Sequence, residues 1–204
     1  MIPIGLLGGS FNPIHIGHLV LAEEARGRLG LERVIFVPAR VSPHKQGQPH
    51  APAEDRLRMV QLALADNPAF EASDIELRRE GPSYSFDTVR QLLQASGGAW
   101  DISFIVGADT LGELATWHRI RELADLCRFV VFRRPGDSPT ALDGLRGALS
   151  DEQVAAIAGR CFDMPLVGVS STEIRRRVRE GRSIKYLVPE AVRRYIAAKG
   201  LYKQ

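Results

Sequence analysis

The chain has 204 residues, 45% hydrophobic and 25% charged, with 27 Lys/Arg against 24 Asp/Glu and two cysteines. That length and make-up fit one sizeable core and a single domain over residues 1–204, and they exclude a disordered, collagenous or disulfide-stapled chain. No apolar run approaches the ~18 residues of a membrane span, and the opening "MIPIGLLGGSF" lacks the basic region of a secretion signal, so the expected location is cytoplasmic.

In chain order, Ile4–Leu7 reads as a first strand and Ile16–Leu29 as a helix, followed by a strand at Val34–Val37. Ala39–Asp55, rich in Pro, Gly and His, reads as a long loop of the functional kind. Helical periodicity returns at Glu54–Ala65 and Ser85–Gln94, then a strand at Ile102–Val106, a helix at Ile120–Leu126 and a strand at Phe129–Phe132. Pro135–Gly144 is irregular, and helices at Ser170–Glu180 and Pro189–Ala198 close the pattern. Short β-branched strands alternating with helices predict a parallel sheet with helices on both faces. In such sheets ligands bind beyond the carboxyl ends of the strands, which puts the loops after Leu7 and Val106 at the same end. Cys127 and Cys161 have no His or Cys at ligand spacing and read as buried free thiols.

"GGSFNPIHIGH", Gly8–His18, is neither a Walker A loop nor a dinucleotide fingerprint. Gly8 and Gly9 admit a ligand to the backbone, Asn12-Pro13 makes a turn, and Pro13 suits the first turn of the following helix. His15 and His18, at i and i+3, share a face at that helix's positive end. Gly17 costs helix propensity, which implies a ligand lying against the backbone there. The pair lacks the Glu and the i+4 register of a zinc helix, so anion binding is the better reading; for either histidine alone, capping or packing is the plain alternative. "VSSTEIRRRV", Val169–Val178, is a capping box on Ser170 and Glu173 or equally a phosphate cradle with Arg175. From Ser170 onward ten Lys/Arg face three Asp/Glu, a net +7 against −4 for the preceding residues. Much of that is solvated helix surface. Aromatics to stack nucleic-acid bases are sparse there, so small-molecule phosphates fit better. Asp109 reads equally as a ribose acceptor or a helix N-cap.

Two of these motifs carry a resemblance. The H-x-G-H of His15-Ile16-Gly17-His18 within "GGSFNPIHIGH", and "SSTEIR" at Ser170–Arg175, resemble the two phosphate motifs of the nucleotidylyltransferase superfamily. "SPHK" (Ser42–Lys45), "PSYSFDT" (Pro82–Thr88) and "VGADTL" with Trp117 narrow the resemblance to the bacterial nicotinate-nucleotide adenylyltransferases. It runs from Ile4 to about Tyr195, with no family motif in Gly136–Gly159. Ser85 stands where relatives often carry Thr, and His118 where some carry Tyr.

The resemblance implies an α/β, Rossmann-like doubly wound parallel sheet with a C-terminal helical segment. It also implies transfer of the adenylyl group of ATP to nicotinic acid mononucleotide, giving deamido-NAD and pyrophosphate in NAD biosynthesis. Catalytic roles then fall to His15, His18, Arg175 and Lys45. ATP is met by Gly8, Gly9, Ser10, Phe11, both histidines, Gly107, Asp109, Ser171, Thr172 and Arg175. The mononucleotide is met by Ser10, His44, Lys45, Ser85, Phe86, Trp117 and His118. Mg²⁺ is carried by the ATP phosphates and not by protein ligands. The implied partners are those two small molecules, with no nucleic acid and no membrane; the number of copies in the assembly is not legible. Competing readings are another adenylyl- or cytidylyltransferase, such as a phosphopantetheine adenylyltransferase, or a nucleotide-binding module that releases no pyrophosphate.

Overall fold

A computed structural model describes residues 1–41, 50–133, 142 and 144–203. Strand β1 (Ile2–Gly9) is followed by α1 (Ile16–Leu29), β2 (Arg33–Pro38), α2 (Ala53–Leu64), β3 (Phe70–Ala72) and α3 (Ser85–Ala95). Then come β4 (Trp100–Gly107), α4 (Ala108–Leu114), α5 (Ile120–Leu126), β5 (Arg128–Arg133), α6 (Asp151–Ala158), β6 (Cys161–Asp163), α7 (Ser171–Arg179) and α8 (Glu190–Lys199). The six strands form one sheet in the order β3-β2-β1-β4-β5-β6, every described pair parallel. This is the order of a doubly wound dinucleotide-type sheet, and its direction of winding reverses between β1 and β4.

Strand alternation explains why both faces need cover. Ile102, Phe104 and Val106 of β4 join one apolar cluster with Phe86, Val89, Leu114 and Leu123, while Ile105 joins another with Leu21, Met59, Val192 and Ile196. Helices α1, α2, α7 and α8 thus pack on one face, and α3 to α6 on the other. The predicted helices lie within one or two residues of those observed. Three elements, β3, β6 and α6, were not anticipated, and α4 was anticipated only through the reading of Asp109 as a helix N-cap. Cys127 is buried as expected, whereas Cys161 is only half-buried on edge strand β6. Among the described residues no helix is long and apolar enough to cross a membrane.

Candidate active site

At the carboxyl ends of β1 and β4 lies a cleft of about 950 Å³. Gly8, Gly9, Ser10, Phe11, His15, His18, Ser85, Gly107, Asp109, Trp117, His118, Ser171, Thr172 and Arg175 all line it. His44 and Lys45 lie outside the described residues. Phe86 does not line the cleft: its ring is buried, with the Arg119 guanidinium 3.8 Å over it. Only its backbone amide is left to meet a ligand.

The turn after β1 differs from expectation in three ways. Helix α1 begins at Ile16 with His15 as N-cap, so Pro13 precedes the helix instead of opening it. Phe11 turns its ring inward, tilted on Phe36 at 5.9 Å and edge-on to His18 at 5.1 Å, and its φ of 44° lies in the left-handed region. Gly17 makes room for a protein group: a Cβ there would stand 3.0 Å from His15 Nδ1 and 3.1 Å from Cε1. The glycine of the H-x-G-H motif lets the first histidine fold over the helix start, where its ring stacks on the second at 3.7 Å. His18 Nδ1 accepts the His15 backbone N–H at 3.2 Å. In the neutral ring the proton therefore sits on Nε2, leaving that nitrogen as a donor.

The segment Ser170–Arg175 abuts the turn after β1. Arg175 Nη1 donates to Asn12 O at 2.9 Å, Arg175 Nη2 to Thr172 Oγ1 at 3.3 Å, and Ser171 Oγ to Pro13 O at 2.9 Å. Ser170 caps α7 by accepting the Glu173 N–H, but the Glu173 carboxylate pairs with Arg176 and Arg177, so only half of the expected capping box forms. Arg176 and Arg177 are thereby neutralised on the surface. Arg175, half-buried, keeps its charge toward the cleft, with burial lowering its pKa from the ordinary value.

On the other wall, Asp109 is the second residue of α4 and not its cap. Gly107 is the cap, and a Cβ on Gly107 would lie 2.6 Å from Asp109 Oδ1. Trp117 stands edge-on to Phe104 (5.5 Å) and Phe129 (6.2 Å), and its buried indole N–H has no acceptor among the described residues. His118 stacks on Tyr84 at 4.3 Å, and Tyr84 is the N-cap of α3, with no side-chain bond capping its first turn.

Sequence reasoning missed the supports behind these walls. Buried Arg56 donates from Nε to Ala51 O at 3.0 Å, from Nη1 to Ser10 O at 2.7 Å and from Nη2 to Arg40 O at 3.2 Å. Buried Asn12 accepts the Ala51 N–H on Oδ1 at 3.1 Å. Buried Glu76 accepts from Thr88 Oγ1 at 2.6 Å and from the Ser83 hydroxyl, and Ser83 Oγ in turn accepts the Arg40 N–H at 2.9 Å. Burial pushes the Glu76 carboxyl above its usual pKa, against the pull of those hydroxyls and of Arg79 and Arg56. One signal was available: Arg56 stands on the apolar stripe of α2 with Met59, Val60 and Ala63. Among the described residues no group of three or more His, Cys, Asp or Glu side chains is arranged to hold a metal.

Residues 6–177 match the model of the cytidylyltransferase-like family. The chain is 45% identical over 202 residues to a "Probable nicotinate-nucleotide adenylyltransferase" of Symbiobacterium thermophilum, covering 99% of this chain and 96% of that one. The fold is shared with Plasmodium falciparum nicotinic acid mononucleotide adenylyltransferase complexed with NaAD, at a TM-score of 0.77 and 16% identity over 99% and 98% of the two chains. The same enzyme complexed with APC superposes with a TM-score of 0.75, at 16% identity and the same coverage.

Proposed function

The chain belongs to the nicotinate-nucleotide adenylyltransferases of the cytidylyltransferase-like family, and from that premise we propose how its cleft performs the reaction. The enzyme transfers the adenylyl group of ATP to nicotinic acid mononucleotide, forming deamido-NAD and pyrophosphate for NAD biosynthesis. An oxygen of the mononucleotide phosphate bonds to the α-phosphorus of ATP as the bond from that phosphorus to the bridging oxygen breaks. A phosphate monoester has a second pKa of about 6, so the nucleophile is already anionic and needs no general base. What the protein must supply is alignment and donors for developing charge.

The observation that carries this reading is the bonding of the two phosphate motifs to each other, Arg175 to Asn12 and Ser171 to Pro13, at the mouth of β1. Gly8, Gly9, Ser10 and the Phe11 amide border the triphosphate, with His15 and His18 at its reacting end. His18 Nε2–H donates to the charge that grows between the α- and β-phosphates. Ser171, Thr172 and Arg175 hold the departing pyrophosphate, joined there by Lys45. Gly107 and Asp109 meet the nucleotide, Asp109 as an acceptor for ribose hydroxyls.

Trp117 offers a stacking face for the pyridine ring. The open amides at the start of α3, Ser85 and Phe86, take the nicotinate carboxylate, with His118 alongside, and His44 is assigned to the mononucleotide by resemblance. Among the described residues the cleft's donors are imidazole, guanidinium, hydroxyl and amide groups, which suit phosphate oxygens and form no metal cage, so Mg²⁺ fits as a passenger on the nucleotide. When bound, it neutralises phosphate charge. We further take the chain to act as one cytoplasmic domain on small molecules alone, without nucleic acid.

The test is pyrophosphate release with nicotinic acid mononucleotide and nicotinamide mononucleotide in parallel. Amides that meet a carboxylate form charge-assisted bonds, whereas a carboxamide would turn its own NH₂ against them. The expected preference in kcat/KM for the acid is on the order of 10²-fold or more. Equal use of both would overturn the carboxylate pocket while leaving adenylyl transfer intact.

A further inference from the structure

A charge buried without a direct ion-pair partner is costly, and where one persists its hydrogen bonds are informative. Arg56 is 3% exposed. Among the described residues no carboxylate lies within ion-pair distance of it, and its guanidinium nitrogens donate to the three main-chain carbonyls named above. Of these, Ser10 O makes the shortest bond, 2.7 Å. A trans peptide points its carbonyl and the next N–H in opposite directions. With Ser10 O drawn back onto α2, the Phe11 N–H is aimed away from α2, and it donates to no acceptor among the described residues. Ser10 and Phe11 line the cleft, and Arg56 does not. The left-handed φ of Phe11 is unfavourable for a residue with a bulky side chain, so this peptide must be held in place by its surroundings.

We propose that Arg56 is a positioning residue for adenylyl transfer: from behind the cleft it sets the Ser10–Phe11 peptide so that the Phe11 amide faces the phosphates of ATP. This rests on the reading that the cleft binds ATP. Glu54 and Glu76 act on the guanidinium only from beyond ion-pair distance, so its direct partners are the three carbonyls. The role is one of geometry, because an ammonium at this position keeps the charge and loses the fork that spans three carbonyls.

The decisive variant is therefore Arg56→Lys, compared with wild type by thermal melting, by steady-state kinetics in both substrates, and by amide NMR of ¹⁵N-labelled protein titrated with MgATP. In wild type the Phe11 amide resonance moves on titration. In a folded Arg56→Lys protein that movement shrinks and kcat falls by about 10- to 100-fold, while KM for nicotinic acid mononucleotide stays within roughly threefold. A folded Arg56→Lys protein with kcat within about twofold of wild type would overturn the proposal. So would a wild-type Phe11 amide that stays still while other cleft amides respond to MgATP, and that measurement decides the matter even if the variant does not fold. Wild-type protein that binds no MgATP at all would instead sink the reading of the cleft.

Discussion

Along one wall of the cleft, main-chain carbonyls are held by side-chain donors: Ser10 by Arg56 from behind, and Asn12 and Pro13 by Arg175 and Ser171 from within the lining. Along the other wall, rings lean on rings, Tyr84 on His118 and Trp117 on Phe104 and Phe129, with the Glu76–Thr88 bond beneath. Hydrogen bonds to carbonyls fix direction, and so fix where the opposing amides and imidazoles point. Ring contacts fix a flat surface whose worth scales with area and which tolerates small displacements. The first wall should therefore govern rate and the second the choice and affinity of the acceptor.

The largest effect expected is on the first wall. His18→Ala removes one oriented donor, worth about 2.7–4 kcal/mol, so kcat should fall by ~10²–10³ in a folded protein whose melting temperature drops only by the loss of a cap at the start of α1, about 1 kcal/mol. Turnover near that of wild type would show that the wall does not set the rate. Next in size is Trp117→Ala on the second wall. Stacking of a flat ring on an indole is worth about 1–3 kcal/mol, so KM for the acceptor should rise by roughly 5- to 150-fold while kcat changes much less. A loss in kcat with KM unaltered would erase the distinction between the walls.

The smallest effect sharpens the comparison through pH. Burial raises the Glu76 pKa, so the folded protein holds a proton that the unfolded chain has released. Its contribution to stability is complete below the unfolded value and is lost as pH rises through the raised folded value. Glu76→Gln cannot ionise. Measured by thermal melting across pH, the variant should gain on wild type as pH rises toward neutrality, and the gap should close in acid. A gap of constant size would mean that Glu76 does not titrate in this range.

Much of the frame was legible because apolar runs and helical periods are local properties. Helices α1 and α5 were predicted to the residue. Strands β3 and β6 were invisible for a physical reason: each has three residues, none of them fully buried, at the sheet edges. Helix α4 has only seven residues with a glycine among them, and α6 interleaves Val154 and Ile157 with alanines, so neither shows a strong period. At the site, residue types in short motifs were readable, and what each side chain does locally was less so. Phe11 and Phe86 belong to motifs yet bury their rings. Gly17 answers to His15 and not to space left for a ligand. Glu76 pairs with a hydroxyl twelve residues away, across the turn that leads into α3, and no sequence period reports such a bond.

The bonds between the two phosphate motifs join residues 163 and 158 positions apart. On the ribosome, the glycine turn is made early and then waits for α7. At about 5–20 residues per second that wait lasts roughly ten to thirty seconds. Strands β1 to β4 have all been synthesised well before it ends, so a growing chain owns most of its sheet while its phosphate wall is still half built. With the site assigned as proposed, competence to bind nucleotide is among the last properties the nascent protein acquires, and a chain that stalls before α7 carries a scaffold without its proposed phosphate wall.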